Sequence, residues 1–402
     1  MRALLVSFLV ASAALAQDGD FGFSVAVNPF VTPFVPLSTE AQAVAEAGAF
    51  GRVDDPLRLL DNPAVLADFA DGVRVSGHLL TNWLGADISS SGGAVAGGIQ
   101  TRLGGVPASV GVGLAYGTFS EPPFVVTDEL GRELGEIPES DDEVLALGVG
   151  VGFEGPVRVR LGASVQSLRS RQLYANDLSL PITFDEGSFE RARATAADVG
   201  LDVTLPIGRW LRPAPTASGL GFVFDATAGY ALRGIAISGE APPGYAGDVE
   251  RRPTAGASLL GAVDIGLGSP MPLRAVQAEF LTGAEDPGAD AWGDLSASNV
   301  LLGSNPDENA VVHRALRATL GEALVLSRGV FEGATFVPRE SWGVGLNVGG
   351  ALRLAGVVLD RPDLHRLGGR FDLRYTYAQY WFENGSPFGD TPAHGVVLRV
   401  RP

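Results

Sequence analysis

The feature that most narrows the possible folds is a two-residue alternation of apolar and polar side chains that recurs along most of the chain. Val157, Val159, Leu161, Ala163 and Val165 alternate with Arg158, Arg160, Gly162, Ser164 and Gln166, and Val199, Leu201, Val203 and Leu205 with Asp198, Gly200, Asp202 and Thr204. Phe371, Leu373, Tyr375 and Tyr377 interleave with Asp372, Arg374 and Thr376 in the same way. Successive side chains of a strand point to opposite faces, so each run offers one apolar and one polar surface. A soluble sandwich alternates too. A membrane barrel differs in having segments of about 9 to 11 residues with aromatic residues gathered at their ends, as Tyr375, Tyr377, Tyr380, Trp381 and Phe382 are here.

Counting segments of that kind gives about fourteen: 73–81, 92–103, 107–118, 143–154, 157–168, 194–205, 219–232, 254–267, 272–281, 312–325, 328–337, 342–354, 369–382 and 393–401. Short connections such as 104–106 alternate with long ones such as 120–142, 169–193 and 282–311, the rhythm of short periplasmic turns and long outer loops. Hydrophobic residues make up 46 % of the chain. Nowhere after Leu15 do 18 apolar residues run together, so these residues are spread at strand period and not collected in a membrane helix. The expected fold is all-β: a single transmembrane antiparallel β-barrel spanning 72–402.

Arg2, the apolar stretch Leu4 to Leu15 and the small residues Ala14 and Ala16 read as a cleaved signal peptide covering 1–16, which predicts export to the outer membrane of a Gram-negative cell. The chain has no cysteine, which excludes disulfides, thiolate metal sites and a cysteine nucleophile. All 29 basic residues are arginine, which removes P-loop, Schiff-base and Ser-x-x-Lys chemistry. A net charge of -17 repels nucleic acid.

No motif for an enzymatic site emerges. Gly150-Val-Gly152-Phe-Glu-Gly155 fits the bare dinucleotide pattern, but it lies inside a strand run with no helix after it. The alternative reading of Gly148, Gly150 and Gly152 is a strand face left bare so that another part of the chain can lie against it. His78, His313, His365 and His394 lie apart without zinc spacing, and His78 shares a predicted strand face with Ser76 but lacks an orienting acid. Acidic stretches at Asp128 to Glu143 and at Glu285, Asp286, Asp290 and Asp294 lack the EF-hand pattern and read as solvated loops. No catalytic residue, cofactor or metal is expected. Arg169, Arg171, Arg191 and Arg193 form a basic cluster in what reads as a loop, suited to lipopolysaccharide or another anionic partner, or to salt bridges with acidic loops.

The stretch before the first strand reads Asn28-Pro-Phe30-Val-Thr-Pro33-Phe34-Val-Pro-Leu37-Ser-Thr-Glu40-Ala41, then Ala47-Gly48-Ala49 and Asp61-Asn62-Pro63-Ala64. It resembles the start of the PorV/PorQ-like family of type IX secretion, within the wider FadL-like group of outer-membrane barrels. Prolines forbid regular structure in 29–36, Thr39 to Phe50 is compatible with a short helix, and Asn62 before Pro63 favours a turn. The family's methionine and glycine are replaced here by Val44 and Glu46, and the chain ends in Val400-Arg401-Pro402 without a terminal aromatic residue. The resemblance implies that 17–71 forms a plug, or hatch, inside a fourteen-stranded barrel. It also implies a non-enzymatic shuttle that holds the C-terminal signal domain of exported cargo on loops 120–142, 169–193 and 282–311, beside a secretion translocon. The alternative it leaves open is a FadL-like transporter of a hydrophobic small molecule, with Phe30, Phe34, Leu37 and Phe50 lining an apolar route.

Overall fold

The computed structural model describes residues 37–51, 54–83, 88–121, 124–127, 133–137, 140–173, 189–211, 218–240, 249, 251–267, 273–286, 310–332, 340–381 and 391–401. The expected signal peptide, Phe30, Pro33 and Phe34 lie outside them.

Alternation at strand period builds β1 (Val73–Trp83), β2 (Ile88–Leu103), β3 (Val106–Glu121), β4 (Phe124–Thr127), β5 (Glu133–Ile137), β6 (Ser140–Glu154), β7 (Arg158–Leu173), β8 (Phe189–Leu205) and β9 (Ser218–Glu240). It continues through β10 (Arg252–Leu267), β11 (Leu273–Glu285), β12 (Val311–Leu320), β13 (Leu324–Glu332), β14 (Glu340–Asn347), β15 (Phe371–Trp381) and β16 (Thr391–Val400). Fourteen of these close into one antiparallel barrel, each paired with its neighbour in the chain. The exceptions are β4 and β5, which pair only with each other in the connection from β3 to β6. Closure comes from β16 lying against β1, with Val73 opposite Val400 and Leu80 opposite Ala393.

The two faces explain why a closed sheet forms. Val73, Val75, Val112, Leu147, Leu161, Val165, Val199 and Leu201 point outward and are exposed, while Arg74, Arg160, Asp202, Glu279 and Arg317 point inward and are buried. An apolar outer band around a charged interior belongs in lipid, where every backbone group must be paired and a closed barrel leaves no free edge. The protein is an outer-membrane β-barrel. Tight connections at 104–105, 155–157 and 321–323 lie at the same end as the start of β1 and the end of β16, which makes that end periplasmic.

Each of the fourteen expected segments overlaps a barrel strand, and most strands run longer, up to 23 residues in β9; positions 333–337 of segment 328–337 lie outside the described residues. Two expectations need correction. Segment 312–325 overruns a hairpin at Gly321 and Glu322, whose φ values of 57° and 59° are left-handed. Segment 342–354 crosses from β14 into a helix at Val348–Val358, because the Asn347 side chain accepts a hydrogen bond from Gly350 N and caps it. A second helix, Pro362–Arg370, follows before β15. The aromatic girdle is also corrected: Tyr380 points inward and is buried, whereas Tyr375 is exposed and donates to or accepts from His394 at 2.7 Å, with Tyr377 packed edge-on against the same imidazole.

Candidate functional site

Residues 37–71 lie inside the barrel as a plug of short pieces: α1 (Thr39–Ala43) and three 3-10 helices, Ala47–Phe50, Pro56–Leu60 and Pro63–Phe69. Each piece is too short to persist alone, and side-chain caps hold three of them. Ser38 Oγ accepts from Ala41 N, Asp55 from Leu57 N and Asn62 Oδ1 from Ala64 N. Pro56 and Pro63 occupy first-turn positions where no amide donor is needed. Ala45 and Glu46 take φ values of 49° and 59° in the turn after α1. Glu46 thus occupies a left-handed site, a conformation that favours glycine.

The plug reaches one side of the wall through bare backbone. Gly111, Gly150, Gly162 and Gly200 stand opposite one another across β3, β6, β7 and β8, forming a cross-strand row on the inner face. The turn Asn62 to Ala67 lies along it. A Cβ on Gly111 would run into the Leu66 carbonyl, one on Gly162 into Pro63 and one on Gly200 into the Asn62 side chain, while one on Gly150 would sit 2.7 Å from Ala67 N. The reading of Gly148, Gly150 and Gly152 as a face left bare for packing matches this arrangement. Around the row and beyond it, Leu37, Leu57, Leu60, Leu66 and Phe69 of the plug join Val144, Leu168, Ala192, Ala194 and Val249 in one apolar cluster that extends toward the outer end of β6 to β8.

Ion pairs tie the plug to the wall elsewhere, concentrated on the opposite side. Glu40 accepts from Arg317 at 2.6 Å, and Asp54 from Arg374 at 2.8 Å. Asp71 pairs with Arg399, with Arg401 at 3.1 Å and with Arg74 at 3.0 Å. Asp61 faces Arg233, and Asp68 faces Arg160, whose other nitrogen meets Asp202 at 3.0 Å. Asn62 Nδ2 donates to the same Asp202 at 2.9 Å, so the Asn-Pro-Ala turn is fixed by its own cap and by the wall. Glu46 accepts from Tyr380 at 2.8 Å. Burial and the nearby Glu40 carboxylate push Asp55 up to about 6 against the hydrogen bonds from Ser38 and Leu57. Burial also raises Glu46, whereas Arg399 and Arg74 hold Asp71 below the usual carboxylate range.

Beneath the plug, toward the periplasm, lies a chamber of about 540 Å³ lined by charged groups that include Asp68, Asp71, Arg74, Arg158, Arg160 and Asp264. A second of about 280 Å³ lies beside it, lined by Arg274, Arg353, Arg374 and Arg401 with Glu322 and Asp372. The barrel therefore holds a buried apolar cluster between plug and wall on one side and a charged chamber below.

Of the residues singled out in the sequence, Glu40, Ala41, Asp61, Asn62, Pro63 and Ala64 come together in the plug, and Gly48 lies in its Ala47–Phe50 turn. Leu37 and Phe50 do not line one route: Leu37 joins the large cluster, whereas Phe50 packs over Gly229 and Gly256 with Ala231. Arg169, Arg171, Arg191 and Arg193 are not in a loop; they sit on β7 and β8 in direct register. Ser76 and His78 share the inner face, where the His78 ring lies 2.7 Å from Thr39 Oγ1 and 3.3 Å from Ser90 Oγ. Among the described residues no cluster of three metal-ligating side chains occurs. The acidic stretch from 287 onward lies outside them, and Glu285 is paired with Arg252 and His313. The plug's arginine partners were missed, since inward parity marks them as lumen residues but says nothing of which carboxylate each meets.

No protein-family model and no curated protein matches the chain. Among solved structures it is similar to a mutant of the monoaromatic hydrocarbon channel TodX, at 9 % identity over 91 % of this chain and 99 % of that one, with a TM-score of 0.43. It is similar to the toluene transporter TodX of Pseudomonas putida, at 12 % identity over 89 % and 96 %, TM-score 0.41. It is also similar to the β domain of the Bordetella autotransporter BrkA, at 9 % identity over 83 % and 100 %, TM-score 0.42. Likeness at this level spans hydrocarbon channels and an autotransporter alike, and the architecture assigned above rests on the strand pairing itself.

Proposed function

We propose that the protein is a gated outer-membrane transporter for hydrophobic small molecules, with the segment 37–71 as its gate. The observation that carries this reading is the apolar cluster running from Val144, Leu168 and Val249 near the outer end to Leu37, Leu57 and Leu60 of the plug, above a chamber already open to water. An apolar solute leaving water gains about 25 cal/mol for each Å² it buries, so this cluster, once the plug shifts away from the wall, is where such a solute would collect. The charged lower chamber offers no comparable gain and favours release. Displacing the plug locally would join the two. Nothing in this path calls for covalent chemistry.

The test is uptake of a radiolabelled alkylbenzene by cells carrying the barrel, with a sugar of similar size as the control solute. Alkylbenzene uptake should rise several-fold over cells without the barrel, and Leu168→Asp should abolish the gain while leaving folded barrel in the membrane. Equal uptake with and without the barrel would overturn the proposal. Of the loops assigned to a type IX shuttle, 120–142 contains the β4–β5 hairpin while most of 169–193 and 282–311 lies outside the described residues, and no observation here favours that reading over transport. Recovery of exported proteins sharing one C-terminal domain in a pull-down from solubilised membranes would reverse the ranking.

A further inference from the structure

The outer face of β7 and β8 carries a feature that transport through the lumen does not use. Arg169 and Arg193 stand directly opposite each other on adjacent strands, and two residues further toward the loop Arg171 stands opposite Arg191. Arg169 and Arg193 share strand parity with Leu161, Val165, Val199 and Leu201, the residues that face lipid, and both are exposed. Like charges placed directly opposite on an antiparallel pair destabilise it. Glu143 stands opposite Arg169 and Glu240 opposite Arg193, and Glu143 also accepts the hydroxyl of Tyr116. Two guanidiniums thus lie side by side between one carboxylate at each end, with donors left over for a further anion.

Height fixes what could compensate. Ten residues separate Arg169 from Val159, where Phe153 and Val203 mark the lower end of the apolar band. At about 3.3 Å per residue and a tilt of roughly 40°, that is roughly 25 Å, the height of the lipid-facing band of such barrels. The arginines therefore sit at the outer water–lipid boundary, one step above Tyr116 and Leu145. A guanidinium is a planar fork of donors suited to two phosphate oxygens, and a pair side by side can grip one phosphate from two directions.

We infer that Arg169 and Arg193 form a lipid-phosphate site on the outside of the barrel that holds the phosphorylated headgroup of lipopolysaccharide in the outer leaflet. The acyl chains of that lipid would lie down the apolar stave below, along Val165, Leu161, Val199 and Leu201. Because the site faces away from the lumen, its occupancy is independent of the transport reading.

The experiment measures binding of lipopolysaccharide to the delipidated full-length barrel in detergent, by thermal shift and by phosphorus retained after gel filtration. Lipopolysaccharide should raise the unfolding temperature, and Arg169→Glu with Arg193→Glu should weaken retention roughly tenfold or more, given the contribution of each basic residue at an anionic surface. Heat-modifiable mobility on a gel reports that the variant is folded. If the double reversal does not fold, Arg169→Gln with Arg193→Gln removes the charges without adding new ones and should weaken retention in the same direction. Unchanged retention in a folded variant would overturn the inference, as would equal binding of lipopolysaccharide stripped of its phosphates. Inorganic phosphate giving the same thermal shift would show a site for a free anion and would equally overturn it.

Discussion

Gly111 lies so close beneath the Leu66 carbonyl that an alanine methyl at this position and that oxygen cannot both keep their places. Neither the strand backbone nor the capped turn above it can yield easily, because each is hydrogen-bonded to its neighbours. Overpacking of this kind costs about 1 to 3 kcal/mol. Gly111→Ala should therefore lower the temperature at which a protease first cuts the plug in the folded barrel. Gly261→Ala, where an added Cβ meets nothing within 4 Å, should leave it unchanged. Equal effects of the two substitutions would show that the row does not bear on the plug. The same scale explains Glu46, a side chain held in a left-handed turn by a hydrogen bond to Tyr380 that a glycine would not make.

Among the elements, the plug answers to pH because its carboxylates are buried to different ends. Asp55 is pushed up to about 6 in the folded plug from 3.8, so the folded form holds a proton that the released segment gives up across that window. Plug stability from this group is full below the ordinary value and is lost as pH rises through about 6. Glu46 is raised and acts in the same sense, whereas Asp71 is lowered and loses its contribution only on acidification below the ordinary carboxylate range. Protection of the plug from proteolysis should thus be greater at pH 5 than at pH 7.5, and Asp55→Asn should flatten much of that difference. A steeper dependence in the variant would contradict the assignment. The strands themselves were legible because period-two alternation is local and needs no partner. The helices at Val348–Val358 and Pro362–Arg370 were not, since a short apolar run around Leu352 and Ala355 reads equally as either element until the Asn347 cap is seen. The plug's ties were hidden for a different reason: Glu40 with Arg317 and Asp54 with Arg374 join residues about 300 positions apart, which only closure of the sheet brings together.

The whole molecule sets two kinds of attachment on opposite sides of the lumen. Against β3 to β8 the plug lies on a row of glycine backbone and within the large apolar cluster; on the far side Glu40, Asp54 and Asp71 meet arginines of β12, β15 and β16, beside contacts of α1 and the turn after it with Gly329, Gly343 and Gly395. Charge removal acts chiefly on the second set, although Asp68 on Arg160 gives the first side an ion pair of its own, and added salt reaches the part-exposed pairs more than the buried ones. Arg374→Gln with Arg399→Gln should raise single-channel conductance in planar bilayers, more so at high ionic strength. Ala67 and Gly152 lie with Cβ positions 3.2 Å apart, near disulfide range, and the chain has no cysteine of its own to compete. Oxidising an Ala67→Cys, Gly152→Cys pair in the latch-free background should leave the raised conductance in place; silencing by the crosslink would mean that the segment departs from the wall as a whole. If the segment is the gate proposed above, it would work as a door and not a cork: swinging about the edge where it lies on bare backbone, it would open first as a slit along the arginine side, and the angle of swing, more than the bore of the barrel, would set how large a solute can pass.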